Sequence, residues 1–215
     1  MKHIIKGEEI PEFVDFLQRE KPTSWEDFHR MPGLSRKCRE HILKYEQNSL
    51  GGYTERCLLG NENLHIDHFR KKGMNWLNDV TFDWSNFIVE DKNANYGACY
   101  KDNNTSDIED YSFLLNPVTD YPEQMMTYLS NGKLVAKSGL SDEGRKKVDF
   151  TIDRFNLNHG KLRMMRENIM KVIKNYSSLT DEDIREAMQE LGFPTVVDWF
   201  LAVRKEVLPT RNNKC

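Results

Sequence analysis

In the run Leu64-His65-Ile66-Asp67-His68-Phe69-Arg70-Lys71-Lys72 a carboxylate adjoins an imidazole at the end of a short apolar stretch, and three cations follow. Imidazole is the side chain best suited to accept a proton near neutral pH. The carboxylate beside it offers the oxygen a hard divalent cation needs as an anchor. Arg70, Lys71 and Lys72 suit contact with phosphate. An Asp-His pair alone also fits a strand end at the surface, so the residues beyond it matter. Asn86 lies eighteen positions after His68, and Asn95 nine further on. A one-metal phosphodiesterase can use that order. His68 would deprotonate a water, while Asp67 and Asn95 hold Mg²⁺ or Mn²⁺ on oxygen. Asn86, whose amide both donates and accepts, would pin the loop that aims His68. Asn93, Asp91 and Asp102 are alternative oxygen donors to Asn95. Lys101 joins the candidate phosphate contacts.

The elements that must position these residues can be read from pattern. Residues 9–20 place Phe13, Phe16 and Leu17 at helical spacing, with Pro11 suited to a first turn. Thr23-Ser24-Trp25-Glu26-Asp27 caps a second helix, and Pro32-Gly33 breaks it. A third helix from 35 to about 47 sets Cys38, Ile42 and Tyr45 on one face. Residues 53–59 and 64–69 read as two strands about the turn Gly60-Asn61-Glu62-Asn63. The polar run 90–95 opens a helix. Residues 125–129 and 134–137 flank Ser130-Asn131-Gly132-Lys133 as a second hairpin. Helices capped at Ser141 and Thr180, one over 162–176 and a last one after Gly192-Phe193-Pro194 complete the chain. Arg145-Lys146-Lys147, Lys161, Arg163 and Arg166 read as helix surface, and Met164, Met165, Met170 and Val172 as core.

Composition limits the setting. The 215 residues, 38% hydrophobic and 30% charged, suit one substantial core. No run approaches the length of a membrane span, and the N-terminus lacks the apolar stretch of a signal peptide. Cys38, Cys57, Cys99 and Cys215 are irregularly spaced, which points to a reducing cytoplasm. The net charge of -3 gives no global field for nucleic acid, so any such contact rests on a local patch or a partner.

Ile66-Asp67-His68-Phe69-Arg70, Phe82-Asp83-Trp84-Ser85-Asn86-Phe87 and Asn95 resemble the ββα-metal core of HNH endonucleases. Tyr100-Lys101-Asp102, Leu114-Leu115-Asn116-Pro117, Asp120-Tyr121-Pro122, Asn131-Gly132-Lys133-Leu134-Val135, Gly139-Leu140-Ser141 and Phe155-Asn156-Leu157-Asn158 follow in order. Across about residues 50–170 the chain thus resembles the PtuB family, nuclease subunits of the Septu anti-phage system also found as retron effectors. The resemblance implies His68 as general base, Asp67 as first metal ligand, Asn86 as the central asparagine and Asn95 as the final ligand. It implies an α+β fold, a mostly helical single domain around a ββα-metal core with an additional β-hairpin and C-terminal helices. The N-terminal helices would occupy residues 1–50, the core 51–110, the hairpin and helical part 111–208, and a frayed tail 209–215. It further implies a metal-dependent endonuclease acting on DNA or RNA beside an SMC/ABC-like, PtuA-like ATPase. The alternative reading is a catalytically degenerate adaptor bound to that ATPase. Relatives staple the core with two Cys-x-x-Cys knuckles around zinc. Here Cys57-Leu58-Leu59-Gly60 keeps one cysteine and Asp91-Lys92-Asn93-Ala94 none. Structural zinc is therefore expected to be absent, with Tyr53, Leu58, Leu59, Phe69 and Trp84 packing in its place.

Overall fold

The computed structural model describes residues 1–176 and 178–207, so the expected tail at 209–215 lies outside the described residues. Helix α1 (Pro11–Glu20) begins on a proline, whose fixed φ suits a first turn, and buries Phe13 and Phe16. Helix α2 (Trp25–Arg30) opens on a capping box between Ser24 and Asp27. Helix α3 (Leu34–His41) runs straight into a π turn, Ile42–Glu46. That turn corrects one expectation. Cys38 and Ile42 are buried, but Tyr45 is 66% exposed. The wider π repeat shifts the inward position, and Glu46 turns in instead, where it accepts from Trp84 Nε1 at 2.8 Å and pairs with Lys6.

Strand β1 (Leu64–His68) pairs antiparallel with β2 (Phe87–Asp91), Ile66 opposite Val89 and His68 opposite Phe87. The expected hairpin between residues 53–59 and β1 does not form. Glu55 adopts φ 59°. The Glu90 carboxylate, from β2, accepts the amides of Tyr53 and Thr54 at 3.1 Å each and the Thr54 hydroxyl at 3.0 Å. Amides bound to a buried carboxylate are not available to a strand ladder. Residues 53–59 are therefore a buried loop, and Leu59, expected in the packing, is exposed. Strand alternation sends Ile66, Phe87 and Val89 toward α1–α3, with Phe13, Phe28 and Trp84. Ile88 points the other way, into a larger core with Tyr53, Phe69, Tyr96 and Phe155.

Helix α4 (Ala98–Asn104) follows β2 later than the polar run predicts, because the strand continues through Asp91 and Gly97 turns the chain at φ 73°. Short helices α5 (Ile108–Ser112) and α6 (Pro122–Met125) lead to β3 (Met126–Tyr128) and β4 (Leu134–Ala136), the second hairpin. Its turn sits so close to α8 (Gly160–Lys174) that a Cβ on Gly132 would lie 2.3 Å from the Arg163 carbonyl. Buried Arg166 donates to the Gly132 and Leu157 carbonyls. Met170 is core, whereas Met164 is exposed. Helix α7 (Asp142–Arg154) is capped by Ser141 and α9 (Asp181–Met188) by Thr180. Helix α10 (Pro194–Val207) is capped from a distant segment: Glu55 accepts from Thr195 N at 3.1 Å and Thr195 Oγ1 at 2.8 Å. Among the described residues the architecture is α+β, with helices packed around two two-stranded sheets. Among the described residues no helix is long and apolar enough to cross a membrane.

Candidate functional site

Asp67 and His68 are neighbours at the end of β1, and the pleat directs them to opposite faces. His68 enters the aromatic layer under α2. Its ring lies 4.4 Å from that of Trp25 and 5.1 Å from that of Phe87, and Nε2 is 2.9 Å from the Thr81 carbonyl. A carbonyl only accepts, so Nε2 carries the hydrogen and the lone pair is left on Nδ1. Burial among these rings lowers the pKa of His68 to about 4. The imidazole is thus neutral at pH 7, and a base this weak holds an abstracted proton poorly.

Asp67 enters the opposite core. Its Oδ2 accepts from the Tyr53 hydroxyl and, at 2.8 Å, from Lys101 Nζ. Lys101 is 0% exposed. It lies on α4 one turn after Ala98, the other inward residue of that helix. Its ammonium also donates to the carbonyls of His68 at 2.7 Å and Phe69 at 3.1 Å. Asp102 Oδ1 stands 3.1 Å from the same nitrogen. Burial works against the charged lysine, but the carboxylates of Asp67 and Asp102 outweigh it and hold the Lys101 pKa above the ordinary value. Burial, then the charge of Asp67, raises the pKa of Asp102. With three hydrogens already directed at three oxygens, Lys101 has no donor left for a phosphate.

The other candidates are dispersed. Asn86 Oδ1 accepts the Arg70 amide at 2.7 Å, and its Nδ2 donates to the Arg70 and Val80 carbonyls at 3.0 and 3.1 Å. Asn86 therefore ties both ends of the β1–β2 connection. Asn95 is exposed in the turn before α4. Its backbone N–H donates to Asn93 Oδ1 at 2.9 Å, and its backbone carbonyl accepts from Asn156 Nδ2 at 2.7 Å. Asp91 pairs with Arg56. Arg70 pairs with Asp83 at 2.9 Å and lies over the Trp76 ring at 5.7 Å. Lys71 donates to the Asp102 carbonyl at 2.9 Å, while exposed Lys72 sits 5.9 Å above the Trp25 ring. A cavity of about 500 Å³ opens beside this group, lined by Phe69, Arg70, Trp76, Asn86, Tyr111 and Asn116.

A divalent cation beside Asp67 is the group the HNH resemblance implies, and the residues present do not fit it. The position next to Oδ2 holds a lysine ammonium, and Asn95 lies exposed in the turn before α4, its backbone tied to Asn93 and Asn156. Among the described residues no three histidine, cysteine, aspartate or glutamate side chains are grouped to hold a metal ion. Sequence reasoning gave Tyr53 a packing role alone, missed Glu90, and read Lys101 as a phosphate contact, whereas Lys101 is buried against Asp67. One signal for Lys101 was available, since its spacing from Ala98 puts both on one helix face.

No family model matches the chain. Among curated proteins it is similar to the Septu protein PtuA of Bacillus mycoides (strain KBAB4), 25% identical over 158 residues that cover 67% of this chain and 20% of that protein. The chain spans about a fifth of that relative's length. This similarity overturns the assignment to the nuclease subunit. It runs to PtuA, the protein the resemblance assigns to the partner, and the reading of the chain as an HNH endonuclease effector is corrected accordingly.

Proposed function

We propose that the chain is a binding component of a Septu-type anti-phage assembly, docking on the assembly's other parts rather than cutting nucleic acid. The similarity to PtuA over two thirds of the chain supports the Septu setting, and the separation of Asp67 from His68 carries the choice of docking over cutting. The site supports it physically. Phosphodiester hydrolysis by the expected route needs a base and a metal-bound oxygen at one centre. Here Asp67 and His68 face opposite cores, and a lysine neutralises the acid. An SMC/ABC-like ATPase is the partner this reading calls for.

The test is reconstitution. The purified chain, mixed with a PtuA-type ATPase, should co-elute with it in gel filtration, and His68→Ala should co-elute equally well. Separate elution of the two proteins removes the docking reading. Cleavage of DNA or RNA by the wild-type assembly in Mg²⁺, lost in His68→Ala, overturns the non-cutting reading.

A further inference from the structure

We infer that the Lys101 ammonium is the resident cation of this site, seated in an oxygen cage that would otherwise take a free metal ion. The inference concerns the cage alone and stands or falls independently of docking.

The oxygens converge from two elements. The end of β1 supplies Asp67 Oδ2 at 2.8 Å and the carbonyls of His68 and Phe69 at 2.7 and 3.1 Å. Helix α4 supplies Asp102 Oδ1 at 3.1 Å and the lysine itself. An ammonium has three hydrogens, and the first three oxygens take them. Asp102 Oδ1 is buried beside the charge yet has no hydrogen-bond partner. Four oxygens around a cation that can hydrogen-bond only three is a coordination pattern, with one ligand held by charge alone. The rings of Tyr53 and Phe69 stand 5.8 and 6.0 Å from Nζ and complete the enclosure. Without the ammonium the cage would present two carboxylates, two carbonyls and the Tyr53 hydroxyl. That is a hard-oxygen set suited to Mg²⁺ or Mn²⁺. The lysine gives the site a covalently attached charge, present at any concentration of free metal.

Mn²⁺ is the probe, followed by calorimetric titration and by thermal melting with and without EDTA. Wild type should take up no stoichiometric Mn²⁺ and melt identically in both conditions. Lys101→Ala, which empties the cage, should bind about one Mn²⁺ per chain and melt roughly 5 °C higher at saturation. Adding Asp67→Ala should abolish that binding. Lys101→Met, which refills the space with apolar atoms, should bind none. The inference is overturned if wild type binds Mn²⁺ stoichiometrically and Asp67→Ala loses it. It is equally overturned if folded Lys101→Ala binds no more than wild type. Should Lys101→Ala fail to fold, the wild-type titration against Asp67→Ala decides.

Discussion

His68 shows how surroundings override residue type. The side chain was legible as a titrating group, but its walls come from Trp25, far back in the chain, and from Phe87 across the sheet. A linear motif does not encode the rings that will close on it. The consequence is measurable. Burial brings the folded pKa to about 4, below the ordinary 6.5, so the unfolded chain binds the proton more readily. The stabilisation is complete above pH 6.5 and is lost as the pH falls through 4. The loss amounts to about 3 kcal/mol at most, at about 1.36 kcal/mol per pKa unit. Denaturant midpoints at pH 7 and pH 4.5 should therefore differ more for wild type than for His68→Leu, and equal differences would show that another group sets the slope. Asp67 teaches the same lesson from the opposite face, since spacing placed it beside a histidine and the pleat parted them.

Local elements were legible where their signals are local. The Ser24, Ser141 and Thr180 caps and the β3–β4 hairpin lie where their sequences put them. The pairing of β1 was misread because its neighbour in sequence is claimed by a side chain from β2. Glu90 is fully buried, and burial with the adjacent Asp91 charge raises its pKa to about 7. It accepts from Tyr53, Thr54 and the Asp91 amide, a role no strand propensity anticipates. A Cβ on Gly51 would lie 2.3 Å from Glu90 Oε1, which shows how tightly the loop wraps this carboxyl. Glu90→Ala would leave the two amides buried without acceptors. Each such loss costs about 1–3 kcal/mol, so the variant should be severely destabilised, with hydrogen exchange fastest in residues 51–55. A variant as stable as wild type would assign the loop's hold to packing.

At the scale of the molecule, the α+β architecture was readable in outline, and the order of helices largely so. What linear order did not carry was which segments meet. Glu55 caps α10 from 140 positions away, and residues 69–86 join two paired strands by a long excursion. That excursion is tied near both ends: Asn86 to Arg70 and Val80, His68 to Thr81, and Lys71 to α4. Its middle is anchored by Trp76, which donates to the Lys71 carbonyl and packs edge-on against Tyr111, so only the exposed Leu77 and Asn78 beyond it are released from the task of aligning the strands. Closing a flexible loop costs free energy that grows only with the logarithm of its length, about 0.6 kcal/mol for each doubling. A segment as long as the connection itself, inserted between Leu77 and Asn78, should leave the melting temperature within a few degrees of the parent. A larger drop would mean that this stretch takes part in holding the sheet. Otherwise the connection is a place where the chain can acquire new sequence without renegotiating its fold.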